Sequence, residues 1–415
     1  MAHNDPKALA ERVRNIVLSS FRDVTGFPAK PLWARLAGIG SEPWLDTGDI
    51  DEISALWSRE FTSLTTNNTI LNREIQKGTY DELIARVAKE LKGLVSKKDL
   101  VLELAFVLNA YHGLLLSHRF SARVSVELHT DLAHDVERSV AYGRRYHEIS
   151  PHQFYVKVPL TAAGILAARR LAQESIPVNF TLGFSARQNW LIASVARPTF
   201  VNVFLGRLNS FVADNKLGSG NLVGEKATLA SQRCLYELRK KLAIATRQIA
   251  ASFRQGIQVK MLAGVDVHTI PPKVAREFEN LNLALEEITS QVQEDPKIEL
   301  APGVEAHAVG LHNLWEVSED FKAAVRDILD RDLDNLDPSE LGAIFADNGV
   351  PGIFPDWTKQ DIETVTKDGK IPRYDTWKDR LAKGEVGLDA LMSLSALHSF
   401  ATDQKAMDDR IRSLV

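Results

Sequence analysis

One lysine stands out for its neighbours. In Phe154-Tyr-Val-Lys-Val-Pro-Leu160 it lies between valines, in a run that reads as a strand. Alternate strand residues face opposite sides. Phe154, Val156, Val158 and Leu160 therefore form one face, and Tyr155, Lys157 and Pro159 the other. An amine held away from water gives up its proton more readily than one in bulk solvent. The neutral amine can then attack a carbonyl and form a Schiff base. The other reading is a lysine at a strand edge, its ammonium reaching solvent along an apolar stem. Alternation alone leaves both open. The same alternation sets Glu127 opposite Val124, Val126 and Leu128, and pairs Asn179 with Thr181 on the polar side of 178–182. It also makes Ser63, Thr65 and Asn67 a common set. Polar groups turned into a protein interior are costly unless they are paired or functional.

The elements that carry these residues alternate in type. Runs 61–65, 124–128, 154–158, 178–182, 200–205 and 265–270 read as strands, separated by helical runs such as 162–173 and 231–250. Strand–helix alternation predicts a parallel sheet with helices outside it. If that sheet closes into a barrel, the apolar strand faces pack on helices, and the C-terminal strand ends line the active site. Before it comes a helix that Asn4 or Asp5 can cap, with Leu9, Val13, Ile16 and Val17 on one face and Gly26, Pro28 and Pro31 ending it. From about residue 330 the chain turns acidic, with Asp330, Asp332, Asp334, Asp337 and Glu340. A short helix capped by Thr358 with Asp361 follows, then a turn at Gly369 and a final amphipathic helix from about Asp389 towards Val415. This stretch reads as a helical appendage.

Composition narrows the class. The chain has 415 residues, 45% hydrophobic and 25% charged, with a net charge of −4, which is ordinary for a globular protein. The charge balance gives no bulk attraction to nucleic acid or anionic membrane. A single cysteine, Cys234, excludes an internal disulfide and fits a reducing, cytoplasmic compartment. The polar residues 1–5 lack an export signal. The longest apolar run, 100–116, is interrupted by Glu103, Asn109 and His112, so no membrane span is expected. The set His129, Asp131, His134 and Asp135 reads as a strand-end loop and helix cap, not a metal site. Gly218, Gly220 and Gly224 lack the spacing of a dinucleotide loop. Asp330, Asp332 and Asp334 lack the glycine and glutamate that a calcium loop needs.

Taken together and in order, the strand segments resemble the transaldolase family, a branch of the Schiff-base aldolase barrels. Trp44-Leu-Asp-Thr-Gly-Asp49 is similar to the first-strand motif, and Thr65-Thr-Asn-Asn-Thr-Ile-Leu71 to the Thr-Thr-Asn-Pro motif. Val124-Ser-Val-Glu127, followed by Asp131-Leu-Ala-His-Asp135, resembles the glutamate strand, and Tyr155-Val-Lys-Val-Pro159 the lysine strand. Val178-Asn-Phe-Thr-Leu-Gly-Phe-Ser185, Phe204-Leu-Gly-Arg207, Ala251-Ser-Phe-Arg254 and Thr269-Ile-Pro-Pro272 complete the series. The resemblance runs from about Trp44 to about residue 330. It implies an α/β fold, a (β/α)8 TIM barrel over 41–330. An N-terminal helical segment, 1–40, precedes it, and a helical C-terminal extension, 331–415, follows.

It also implies roles. Lys157 is the Schiff-base nucleophile, Glu127 the acid/base acting through a water, Asp46 the proton carrier where the carbon–carbon bond breaks, and Thr181 the holder of the water. Asn67 and Asn179 bind donor hydroxyls with Thr65 in support. Arg207, Ser252 and Arg254 match the phosphate positions, and paired guanidinium groups suit that anion. The implied activity moves a dihydroxyacetone unit between sugar phosphates, within the pentose phosphate pathway, with no metal or cofactor. The implied partners are sugar phosphates, without nucleic acid or membrane; a homo-oligomer is compatible. Two departures stand out. Asn68 replaces the proline of the Asn-Pro pair, an exchange expected to loosen that loop. Asn202 replaces a serine near the substrate, which keeps a simple aldolase as an alternative, while Phe204 keeps the aromatic of the transferases. A non-catalytic sugar-phosphate-binding protein is the third reading.

Overall fold

In the computed structural model, which describes residues 6–17, 26–97 and 99–415, eight parallel strands close into a barrel in chain order. They are β1 (Glu42–Asp46), β2 (Ser63–Thr65), β3 (Arg123–Glu127), β4 (Phe154–Pro159), β5 (Val178–Thr181), β6 (Phe200–Phe204), β7 (Arg247–Ala251) and β8 (Val267–Ile270). The strands are short and rich in β-branched and aromatic residues, which suit a pleated surface buried on both sides. Helices connect them on the outside, which is the architecture expected of alternating elements.

One strand was hidden in the sequence. Residues 231–250 read as one helical run, but the helix Val223–Leu242 stops and β7 begins at Arg247. Ala243 ends the helix in the left-handed region, at φ 51°. Glycine usually marks such a stop; alanine leaves no mark. The ladder partners then decide, because β7 hydrogen-bonds to β6 on one side and β8 on the other.

The helix Leu100–Phe120 runs on through the polar residues that interrupt the apolar stretch. By length and composition it could cross a membrane, yet 83% of its apolar window is buried inside this fold. Its polar groups find partners there. Glu103 takes two bonds from Arg145 at 2.8 and 2.6 Å and one from Tyr142 at 2.5 Å. His112 pairs with the Tyr80 hydroxyl at 2.7 Å. The N-terminal helix Pro6–Val17 buries Val13 and Ile16 and packs on this helix; its expected caps, Asn4 and Asp5, lie outside the described residues. A second helix, Pro31–Gly38, leads into β1 and buries Trp33 against Phe61 and Phe278.

The last helix, Leu388–Arg412, lies on the C-terminal side of the barrel. Asp389 takes two bonds from Arg187 at 2.8 and 2.6 Å and one from Ser185 at 2.6 Å, just after β5. Ser393 donates to the Leu182 carbonyl at 2.9 Å. Asp403 accepts from Thr69, and Asp408 faces His129 at 3.3 Å, just after β3. The Thr358–Asp361 capping box opens the helix Lys359–Asp368.

Candidate active site

Inward-facing residues climb each strand two at a time. Near the floor, Trp44, Tyr155 and Phe200 fill the barrel. Their ring centroids are 5.5 Å apart for Trp44–Tyr155, 4.9 Å for Trp44–Phe200 and 5.0 Å for Tyr155–Phe200. Two residues further along the same strands stand Asp46, Lys157 and Asn202. Cross-strand register sets Glu127 beside Lys157, and Lys157 beside Asn179. An aromatic layer thus carries a polar layer directly above it.

Lys157 is only 4% exposed, which removes the strand-edge reading. Its ammonium donates to the Thr66 carbonyl at 3.0 Å. Asp46 accepts from the Thr65 hydroxyl at 2.7 Å, and that hydroxyl also lies 2.5 Å from Thr269 Oγ1. Burial raises the Asp46 carboxyl above its ordinary pKa, against the Thr65 bond and the charges of Lys157, Arg254 and Arg73. Burial likewise raises Glu127, with Asp46 adding to it; Lys157 and the Asn68 N–H oppose. Both carboxyls therefore hold a proton more readily than free carboxylates do. Asn179 donates to Ser125 Oγ at 3.0 Å. Its own Oδ1 is buried without a hydrogen-bond partner, as is the Thr181 hydroxyl oxygen.

At the rim, Arg207 is buried, and its Nη1 has no hydrogen-bond partner. Its guanidinium lies 5.6 Å from the Phe400 ring centroid. Burial and the neighbouring Arg254 push its pKa down to about 10, while Asp403 opposes. It stays charged at neutral pH but is under-compensated, so an incoming anion would relieve it. Ser252 follows β7 in the left-handed region, at φ 69°, which costs a non-glycine residue about 1–2 kcal/mol. Gly206 lets that turn come close, since a Cβ there would stand 2.1 Å from the Ser252 carbonyl oxygen.

The cavity above the polar layer is about 260 Å³. Asp46, Thr65, Asn67, Lys157, Asn179, Asn202, Phe204, Arg207, Ser252 and Arg254 all line it. Glu127 and Thr181, the other two candidates, are buried beside it, at 3% and 0% exposure. Asn202 accepts from the Gly183 N–H at 3.2 Å, so its amide NH2 is the group left to offer a ligand. Asn68, which replaces the expected proline, stands in a helix and not in a loop. Asn67 caps the helix Asn68–Gln76 by accepting from Ile70 N, and Asn68 is its first residue.

The sequence reading missed Arg73, Thr269, Lys370 and Phe400, which also line the cavity. Thr269 was within reach, being in a quoted motif and on the inward face of β8. Lys370 and Phe400 come from the extension and carry no local signal. The His129 segment receives the last helix, its ring capping the Asp131 N–H at 3.1 Å. Among the described residues, no group of three or more His, Cys, Asp or Glu is arranged to hold a metal ion.

The comparisons agree with the geometry. The sequence profile of the transaldolase/fructose-6-phosphate aldolase family matches residues 43–331. A transaldolase of Xanthomonas campestris pv. campestris (strain B100) is 31% identical over 243 residues, covering 56% of this chain and 74% of that protein. A transaldolase of Chlamydia muridarum is 30% identical over 285 residues, covering 66% and 83%. The transaldolase of Chlamydia trachomatis serovar D matches with the same identity and coverage. With the profile spanning more than half of its length, the chain belongs to the transaldolase/fructose-6-phosphate aldolase family.

Proposed function

We propose that this chain is a transaldolase that moves a dihydroxyacetone unit from a ketose phosphate to an aldose phosphate through a Schiff base on Lys157. The Lys157 amine adds to the donor C2 carbonyl, and water leaves once the resulting hydroxyl has been protonated through Glu127. Asp46 takes the proton of the C4 hydroxyl. The C3–C4 bond breaks, its electron pair moves into the protonated imine, and an aldose phosphate departs. The remaining enamine attacks the aldehyde of an acceptor aldose phosphate. Asp46 returns its proton to the new hydroxyl, and water releases the product. Thr181 holds that water; Asn67, Asn179 and Thr65 bind donor hydroxyls; Arg207, Ser252 and Arg254 take the phosphate. Asn202 and Phe204 shape the donor end.

The observation that carries this reading is a buried amine with two proton-retaining carboxyls beside it, under a rim whose guanidinium lacks a partner. Such carboxyls suit proton transfer near neutral pH. In the same proposal, residues 41–330 form the catalytic barrel and 331–415 an extension that contributes Lys370 and Phe400 to its rim. The setting is a reducing cytoplasm. Borohydride reduction in the presence of a ketose phosphate tests the mechanism. A stable adduct forms on Lys157 in the native chain, and Lys157→Ala abolishes both adduct and turnover while keeping its circular dichroism. Normal turnover in that variant would refute the assignment. Asn202 sustains an aldolase as the second reading. Mixing the donor with and without an acceptor separates the two, since steady aldose phosphate release without acceptor is aldolase behaviour.

A further inference from the structure

The helix Asn68–Gln76 begins beside Glu127. Its first N–H groups have no partner within the helix. Asn67 Oδ1 takes the one on Ile70, at 2.8 Å. The N–H of Asn68 goes elsewhere: it donates to Glu127 Oε2 at 2.9 Å, across 59 residues of chain. This donor belongs to the main chain, so no side-chain motif announces it. It exists only because residue 68 is not proline, the residue expected there from the resemblance described above.

We propose that the main-chain N–H of Asn68 is a positioning group for Glu127. It fixes Oε2 and leaves Oε1 as the oxygen that exchanges protons with the reaction. The inference rests on the reading of Glu127 as the acid/base. A single donor on one oxygen sets the carboxylate plane. It also favours the ionised form, as does the positive end of the helix from which it comes. The other titratable groups acting here are Lys157 on β4 and Asp46 on β1. Tyr146, on the helix Val136–Ile149, donates to the Glu127 main-chain carbonyl at 3.2 Å. None of these replaces a donor on Oε2.

The local backbone allows a clean test. Proline is tolerated at the first helical position. The preceding residue, Asn67, is already extended, at φ −157° and ψ 172°, as a residue before proline should be. Asn68→Pro therefore removes the N–H with little disturbance. Asn68→Ala keeps the N–H and removes only the side chain, whose Nδ2 makes a 3.4 Å contact to the Leu128 carbonyl. In the hydrolysis that releases the product Glu127 works in reverse: it takes a proton from the attacking water and must be ionised to do so, so its pKa sets an acidic limb of the kcat profile.

In Asn68→Pro that limb moves to higher pH by about one unit, and kcat near the limb falls about tenfold. KM for the donor holds. In Asn68→Ala the limb stays at the position of the parent chain. A Pro variant with an unmoved limb would overturn the inference, as would Ala and Pro variants that shift together. Glu127→Gln distinguishes the two levels. If it leaves the limb in place, the acid/base reading fails and the inference falls with it. If it removes the limb while Asn68→Pro is silent, only the inference fails. A second measurement needs no proline. The chain has a single Asn-Asn step, at 67–68. Carbon-13 carbonyl and nitrogen-15 labelling of asparagine thus isolates the Asn68 amide by NMR. Its proton shift titrates in the parent chain and not in Glu127→Gln. An amide insensitive to pH in both would also overturn the inference.

Discussion

Glu127 and Asp46 are carboxyls that the fold holds at a cost. Burial raises both, so the folded state binds their protons more tightly than the unfolded chain does. The stability linked to those protons is present below the ordinary carboxylate range, and is lost as pH rises through the raised folded values. Glu127→Gln cannot ionise and escapes that loss. Thermal melting should show the variant a few °C above the parent at neutral pH, with the gain gone in acid and turnover reduced but measurable. A variant that melts lower at neutral pH would contradict this. At the rim, Arg254→Ala should weaken use of phosphorylated sugars about tenfold or more, while hardly changing use of the unphosphorylated analogue. Equal losses on both would dissolve the clamp. Most of these side chains were legible one at a time, because period-two alternation turns Lys157, Glu127, Asn179 and Thr181 to the polar side of their strands. Arg73 was not. It stands on a helix, and only the closing of the barrel brings that helix to the cavity.

Elements were legible where local chemistry marks them. Thr358 with Asp361 announces a helix start, and the valines around Lys157 announce a strand. β7 was not legible, since Arg, Gln and Ala are good helix formers and nothing before it reads as a stop. Its two neighbours in the sheet override that preference. The same limit hid the seat of the last helix. Its anchor is the pair Arg187–Asp389, both almost fully buried, with Asn313 taking the remaining guanidinium edge at 3.0 Å. Removing one partner from a buried pair strands the other charge. Asp389→Ala should therefore cost about 3–5 kcal/mol in chemical denaturation, and speed amide exchange along 388–412. A cost below about 1 kcal/mol would mean the pair is solvated in solution.

For the whole molecule, one continuous apolar core runs from Val13 to Ile411. The extension contributes Phe345, Trp377 and Met407 to it and joins the barrel through the last helix. Calorimetry should record a single unfolding transition. Trp357 and Trp377 in the extension should melt together with Trp44 in the barrel. Two separated transitions would show the extension to be a module of its own. This unity could not be read from residues 331–415, because most of the contacts that create it are made to helices and loops more than a hundred residues earlier.

The aromatic floor has a consequence for traffic. With Trp44, Tyr155 and Phe200 filling the barrel below Lys157, the proposed reaction chamber is closed at its floor and opens through the rim, its doorway. A departing aldose must clear it before an acceptor can come in, so the two half-reactions cannot overlap. Ping-pong kinetics then follow from architecture as much as from chemistry. An excess of acceptor, queuing at the same doorway, competes with the donor for the empty enzyme.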